Sequence, residues 1–210
     1  MIPELTPVEA RILGCLIEKD LTTPEYYPLS LNALTNACNQ KSSRDPIVNF
    51  DDSTVDQGCE ALRNKGLALV HTGSRATKYS HRLSERLNLG RRELPLLCIL
   101  LLRGPQTLGE LRTRTERMRE FSDLEEVERA LQLLADREDG AMTKPMPAQP
   151  GMKEKRWAHL LCGEPVVAEP AVMVGLSDGR PDRVTLLENE VTALRQEIDW
   201  IKLKLADLLN

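Results

Sequence analysis

Apolar residues recur at helical spacing early in the chain, where Ile12, Leu13, Leu16 and Ile17 form one stripe. Thr6 stands ahead of it, Pro7 falls at the first helical position, and Glu9 lies three residues after Thr6. That spacing is a capping box followed by a helix. A second helix is expected over roughly Leu29 to Asn39, with Leu31, Leu34 and Cys38 on one face. A third, capped by Ser53, carries Val55, Cys59 and Leu62 and ends near Gly66, a C-cap glycine. Two strand-like segments follow, Leu67 to Thr72 and Thr77 to Leu83, around the turn Gly73-Ser74-Arg75.

The order then repeats. Glu93 and the run Leu96, Leu97, Ile99, Leu100 and Leu101 match the first helix. Thr107 to Glu120 matches the second, with Thr107 as cap to Glu110 and with Leu108, Leu111 and Met118 inward. A third helix, capped by Ser122 with Glu125 completing the box, carries Val127, Ala130, Leu131 and Leu134 and ends near Gly140. Met142 to Met146 and Arg156 to Leu161 form the second hairpin. Three helices followed by a hairpin is the winged-helix order, in which the third helix is the usual recognition helix. The expected fold is mainly α with small β-hairpin wings: tandem winged-helix domains at 1–86 and 87–163, a linker at 164–183 and a C-terminal coiled-coil helix at 184–210.

Several segments resemble the YceH-like family of bacterial proteins. In the first half these are Thr22-Thr23-Pro24-Glu25, Tyr27-Pro28-Leu29-Ser30-Leu31-Asn32-Ala33-Leu34, Ala37-Cys38-Asn39-Gln40-Lys41-Ser42 and Arg44-Asp45-Pro46. In the second half they are Leu101-Leu102-Arg103-Gly104-Pro105-Gln106-Thr107, Phe121-Ser122-Asp123, Arg137-Glu138-Asp139-Gly140 and Trp157-Ala158-His159-Leu160. The resemblance covers most of residues 4 to 164. It implies tandem winged helices and assigns no activity.

Past residue 165, Pro165, Pro170, Gly175, Gly179 and Pro181 mark a linker. Beyond it Val184, Leu187, Val191, Leu194, Ile198, Ile201, Leu205 and Leu208 alternate spacings of three and four. That is a seam of about 3.5 heptads. Branched residues and a leucine fill the a positions (Val184, Val191, Ile198, Leu205). Leucine predominates at d, a pattern that favours a parallel two-stranded coil. The pairs Arg183–Glu188, Glu190–Arg195 and Glu197–Lys202 then join opposite charges between helices. A homodimer through this helix is expected. Trp200, off the seam, fits the alternative of a helix folding back on its own chain.

Charge decides how the winged helices are used. The chain of 210 residues carries a net −4 with 3% aromatics, so it needs an aliphatic core and lacks a basic surface overall. Asp51, Asp52, Asp56 and Glu60 outnumber Arg63 and Lys65 around one third helix. Asp123, Glu125, Glu126 and Glu128 outnumber Arg129 on the other. Insertion of either helix among phosphates is disfavoured. Basic and amide residues lie elsewhere: Arg75 and Lys78 in the first wing, Lys153, Lys155 and Arg156 in the second, and Asn39, Gln40, Lys41 and Arg44 in one loop. These are the candidate nucleic-acid contacts, through backbone, minor groove or adenine. Asn, Ser and Asp-Pro are also ordinary loop residues, which is the structural alternative for that loop. Arg112, Arg114, Arg117 and Arg119 crowd the second helix of the second repeat. Arg114 and Arg117 lie on one flank and Arg112 and Arg119 on the other, with Glu110, Glu116 and Glu120 interleaved; the pattern fits a solvated face with pairs such as Glu110–Arg114, with a phosphate site as the alternative.

No Gly-x-Ser-x-Gly, phosphate loop or His-Glu-x-x-His occurs, and Cys15, Cys38, Cys59, Cys98 and Cys162 form no Cys-x-x-Cys pair. No catalytic residue, metal or cofactor is expected. Cys15, Cys38, Cys59 and Cys98 are expected as core thiols. The start of the chain shows no secretory pattern and no run is apolar enough for a membrane helix, so a cytoplasmic protein without a membrane partner is expected. The expected function is a non-enzymatic regulator or adaptor associated with DNA through wing and loop residues, its acidic third helices facing a protein. The alternative is a protein-interaction scaffold without nucleic-acid contact.

Overall fold

The capping box at Thr6 forms as the spacing requires. In the computed structural model, which describes residues 2–72, 77–147 and 154–165, Thr6 Oγ1 accepts from Glu9 N at 3.2 Å and Glu9 Oε2 from Thr6 N at 2.6 Å. Helix α1 (Pro7–Thr22) follows, then a 3₁₀ turn at Pro24–Tyr26, strand β1 (Leu29–Ser30), α2 (Leu31–Cys38), α3 (Asp52–Asn64) and the hairpin β2 (Ala68–Thr72) and β3 (Thr77–His81). A short connector, α4 (Leu83–Leu87), leads to α5 (Glu93–Arg103), β4 (Gln106–Thr107), α6 (Leu108–Thr115), α7 (Leu124–Ala135), β5 (Thr143–Pro145) and β6 (Arg156–His159). The described residues are mixed α/β.

Both sheets are three-stranded and antiparallel, in the orders β1-β3-β2 and β4-β6-β5. The duplication extends to register. Ser30 pairs with Lys78 and Thr107 with Arg156, and each hydroxyl residue also caps the helix after it. The next residues inward, Tyr79 and Trp157, are both buried, and His81 and His159 hold equivalent places opposite Ala68 and Thr143.

The repeats share a core. Ile12, Leu13, Cys15, Leu16 and Ile17 on α1 are fully buried, and every residue from Leu94 to Leu102 on α5 is buried. A helix apolar all round must be enclosed on all sides. α1 packs on α5 more extensively than any other two elements pack. Gly14 lets them approach: an added Cβ there would lie 2.8 Å from Leu102 Cδ2, and the Cys98 thiol donates to Gly14 O at 3.4 Å. One apolar cluster runs from Leu5 through Leu102 to Leu161, and a smaller one surrounds Phe121 and Trp157. The boundary expected at residue 86 falls within α4, inside one compact unit, Met1–Ala168.

Several local expectations shift. Strands β1 and β4 occupy the starts assigned to the second helices, because two residues carry no readable period. The caps of α3 and α7 are Asp51 and Asp123, not Ser53 and Ser122. Each aspartate accepts from the backbone N–H three residues on, at 2.7 Å. Glu126, not Glu125, reaches back to Ser122 N. α6 stops at Thr115, whose hydroxyl turns back onto Leu111 O and Arg112 O. Gly66 closes α3 as expected: at φ +71° it lets Gly66 N reach Arg63 O and Leu67 N reach Leu62 O. Gly140 lies beyond the end of α7, which is capped at Asp136. The heptad residues Val184, Leu187, Val191, Leu194, Ile198, Ile201, Leu205 and Leu208 lie outside the described residues, as do Arg75 and Lys153.

Candidate nucleic-acid interface

The loop after α2 is the clearest departure from expectation. Asn39 Nδ2 donates to Phe50 O and Phe50 N to Asn39 Oδ1, both at 2.8 Å, so the side chain closes the loop to α3. The Arg44 side chain has no exposed surface. Its Nε donates to Ala37 O at 3.1 Å, its Nη1 to Ser43 O and Glu18 Oε1, and its Nη2 to Gln40 Oε1 and, at 2.6 Å, to Glu18 Oε2. Asn39 and Arg44 are therefore engaged by the fold, while Gln40 is held only through its Oε1 and is half-buried at the wall of a cleft. Burial pushes the Glu18 carboxyl up, but Arg44 outweighs it and holds the group below the usual carboxylate value. Of the loop's candidates only Lys41 remains exposed.

The wings divide in the same way. Lys78 on β3 and Lys155 ahead of β6 are exposed. Arg156 is not free: its Nη1 donates to Pro105 O at 2.8 Å and pairs with Glu110 at 3.0 Å, fastening β6 to the start of α6.

The acids of the third helices have structural tasks. Asp52 accepts from the Thr35 hydroxyl and Asp56 from the Tyr79 hydroxyl at 2.6 Å, while Glu60 pairs with Arg63 at 2.7 Å. Glu126 is buried and accepts from Ser122 N, Arg119 and the Ser122 hydroxyl. The backbone bond and then Arg119 draw its carboxyl down to about 2. What α7 shows to solvent is Glu125, Glu128, Arg129, Gln132 and two leucines, Leu124 and Leu133, the latter 62% exposed.

The arginines around α6 separate by function. Arg112 donates to Phe121 O and Ser122 O, and Arg119 pairs with Glu126 while lying 5.4 Å over the Phe121 ring. Arg114 makes the expected i,i+4 pair with Glu110 at 3.3 Å, and Arg117 is exposed beyond the helix end. Both line one cleft of about 750 Å³ with Lys41 and with Lys19 and Arg103, two bases that no sequence pattern marked. Their only prior signal was the common flank of Arg114 and Arg117. The others arrive through the packing of α1 on α5.

Cys15, Cys38, Cys59 and Cys98 are buried as expected. Burial pushes the Cys59 thiol up to about 12 and the Cys98 thiol well above its usual value. No group of three or more His, Cys, Asp or Glu could hold a metal ion among the described residues, and no helix there is long and apolar enough to cross a membrane.

Comparison with known proteins places the chain. Residues 5–152 match the family model described as a protein of unknown function, DUF480. A UPF0502 protein from Solibacter usitatus is 51% identical over 202 residues, covering 95% of this chain and 97% of the relative. One from Opitutus terrae is 51% identical over 199 residues, covering 92% and 84%. One from Vibrio vulnificus is 46% identical over 220 residues and covers both chains completely. With most of its length matched at this identity, the chain belongs to the DUF480 family of UPF0502 proteins, the YceH-like family that its segments resemble.

Proposed function

We propose that this protein is a non-enzymatic tandem winged-helix regulator or adaptor that associates with duplex DNA through phosphate contacts. The observation that carries the reading is the twice-repeated order of helix, short strand, two helices and hairpin, with the short strand paired to the last one in each sheet. That arrangement is shared with a large class of DNA-binding modules. The acidic outer faces of α3 and α7 argue for backbone contact and against base reading by a third helix. Lys41, Lys78 and Lys155 are exposed for such contact. The heptad seam at 184–210 supports a homodimer, and its removal is expected to give a monomer by sedimentation equilibrium.

One observation favours a second reading, a scaffold that binds protein alone. Leu133 and Leu124 are exposed on α7 among glutamates, a surface better suited to a protein than to phosphates. Fluorescence anisotropy of labelled mixed-sequence duplex DNA across a salt series separates the two. A dissociation constant that rises log-linearly with salt supports the DNA reading. Absence of binding at low salt leaves the scaffold.

A further inference from the structure

We infer that the cleft between the two repeats, lined by Lys19, Lys41, Arg103, Arg114 and Arg117, is the surface on which the DNA backbone seats. The inference deepens the DNA reading above and rests on it; it names a surface that neither wing nor third helix supplies. The cleft has room for a phosphodiester segment, at about 750 Å³.

The charge balance is the first argument. Five bases face the cleft against two acids, Glu18 and Glu116. Glu18 is already held by both Nη groups of Arg44 and lies 3.4 Å from Lys19. Of the bases, Arg114 is paired across its helix to Glu110, but that carboxylate also serves Arg156, so one negative charge is divided between two guanidiniums. The cleft is therefore left with a net positive charge despite the chain's overall −4. Clefts with walls of low polarizability focus such a field outward.

The second argument is crowding. Burial pushes the Arg103 guanidinium's pKa down, and the charges of Arg114 and Arg44 add to this against the opposing carboxylates of Glu18 and Glu110. Arg103 Nε is buried and has no hydrogen-bond partner. Arg103 on α5 and Arg114 on α6 line the same cleft, and an anion between like charges relieves their repulsion.

The third argument is the kind of neutral residue present. Ser42, Ser43 and Thr113 share the cleft wall with the bases. Arginine, lysine and short hydroxyl side chains are the usual partners of phosphate oxygens. The bases come from α1, the loop after α2, α5, α6 and the turn beyond it. Five bases drawn from separate elements around one cleft offer several phosphates a contact each, which suits a polyanion better than a single small ion.

The test uses the full chain, a fluorescein-labelled mixed-sequence duplex, and anisotropy from about 50 to 200 mM salt. Lys41 and Arg117 are exposed, so Lys41→Ala/Arg117→Ala leaves the fold intact, checked by far-UV circular dichroism. Loss of two phosphate contacts predicts a salt slope shallower by about 2 and binding about tenfold weaker at low salt. The charge-preserving variant Lys41→Arg/Arg117→Lys is expected to bind as the parent does. Lys78→Ala/Lys155→Ala, on the wings, is expected to change binding less. If the parent binds and the cleft variant binds equally well, the cleft is overturned while the DNA reading stands. If the parent does not bind at low salt, both are overturned.

Discussion

Replacing Arg44 by alanine tests whether a loop base belongs to the core. The substitution removes both Nη donors from Glu18 and leaves Ala37 O, Ser43 O and Gln40 Oε1 without their partner. Breaking a buried ion pair from one side costs about 3–5 kcal/mol, because the remaining charge stays buried without compensation. The Glu18 side chain is 15% exposed, so some water reaches it, and the lower end, about 3 kcal/mol, is expected. For a chain of this size that corresponds to a melting point lower by about 6–12 °C. Urea unfolding followed by circular dichroism measures it directly.

The pH dependence adds an independent check. Glu18 titrates below its ordinary 4.5 in the folded parent, so its contribution is complete above that value and is lost as pH falls through the folded value. In Arg44→Ala the same carboxyl is buried without its counter-ion and gains by protonation. The stability gap between parent and variant should therefore close as pH falls below about 4.5. Glu18→Gln/Arg44→Met removes both charges and should lose distinctly less than Arg44→Ala alone. A loss under about 1 kcal/mol in Arg44→Ala, within the range of an exposed pair, would refute the assignment.

Two further outcomes follow from packing and titration. Gly14→Val forces a branched side chain against Leu102, where even a Cβ lies 2.8 Å from Cδ2, and should cost about 2–3 kcal/mol in urea unfolding. Adding Leu102→Ala should recover part of that loss, giving a double variant less unstable than the sum of the singles. His159 is pushed down to about 4 by burial, so its neutral form is favoured in the fold, and Nδ1 has no partner. With the folded value below the ordinary 6.5, stability is intact above pH 6.5 and falls as pH drops toward 4, by about 2 kcal/mol at pH 5. His159→Gln should remove that component from a pH series of unfolding curves. An unchanged difference between pH 7 and 5 would show a solvated imidazole.

Period and capping chemistry made the fold legible, and charge made the site illegible. Helices α1 and α6 could be placed because Thr6–Glu9 and Thr107–Glu110 are local signals that need no tertiary context. The repeat was legible for the same reason, since each third helix has its own apolar period. A base, by contrast, has the same appearance in the sequence whether it faces water, a carboxylate or a ligand. Arg44 and Arg156 had the pattern of phosphate contacts and are bonded within the fold; Lys19 and Arg103 had no such pattern and face the cleft. The difference lies in partners distant in sequence: Glu18 is 26 residues from Arg44 and Glu110 is 46 from Arg156. Nothing local encodes those pairings. They are set inside each repeat, by the loop after α2 folding back on α1 and by β6 pairing with β4 at the start of α6, a strand only two residues long. Each repeat thus neutralises Arg44 and Arg156 by itself, while the packing of α1 on α5 brings Lys19 and Arg103 to one cleft. In this chain the electrostatics of the candidate interface follow from the union of the repeats, not from either repeat alone.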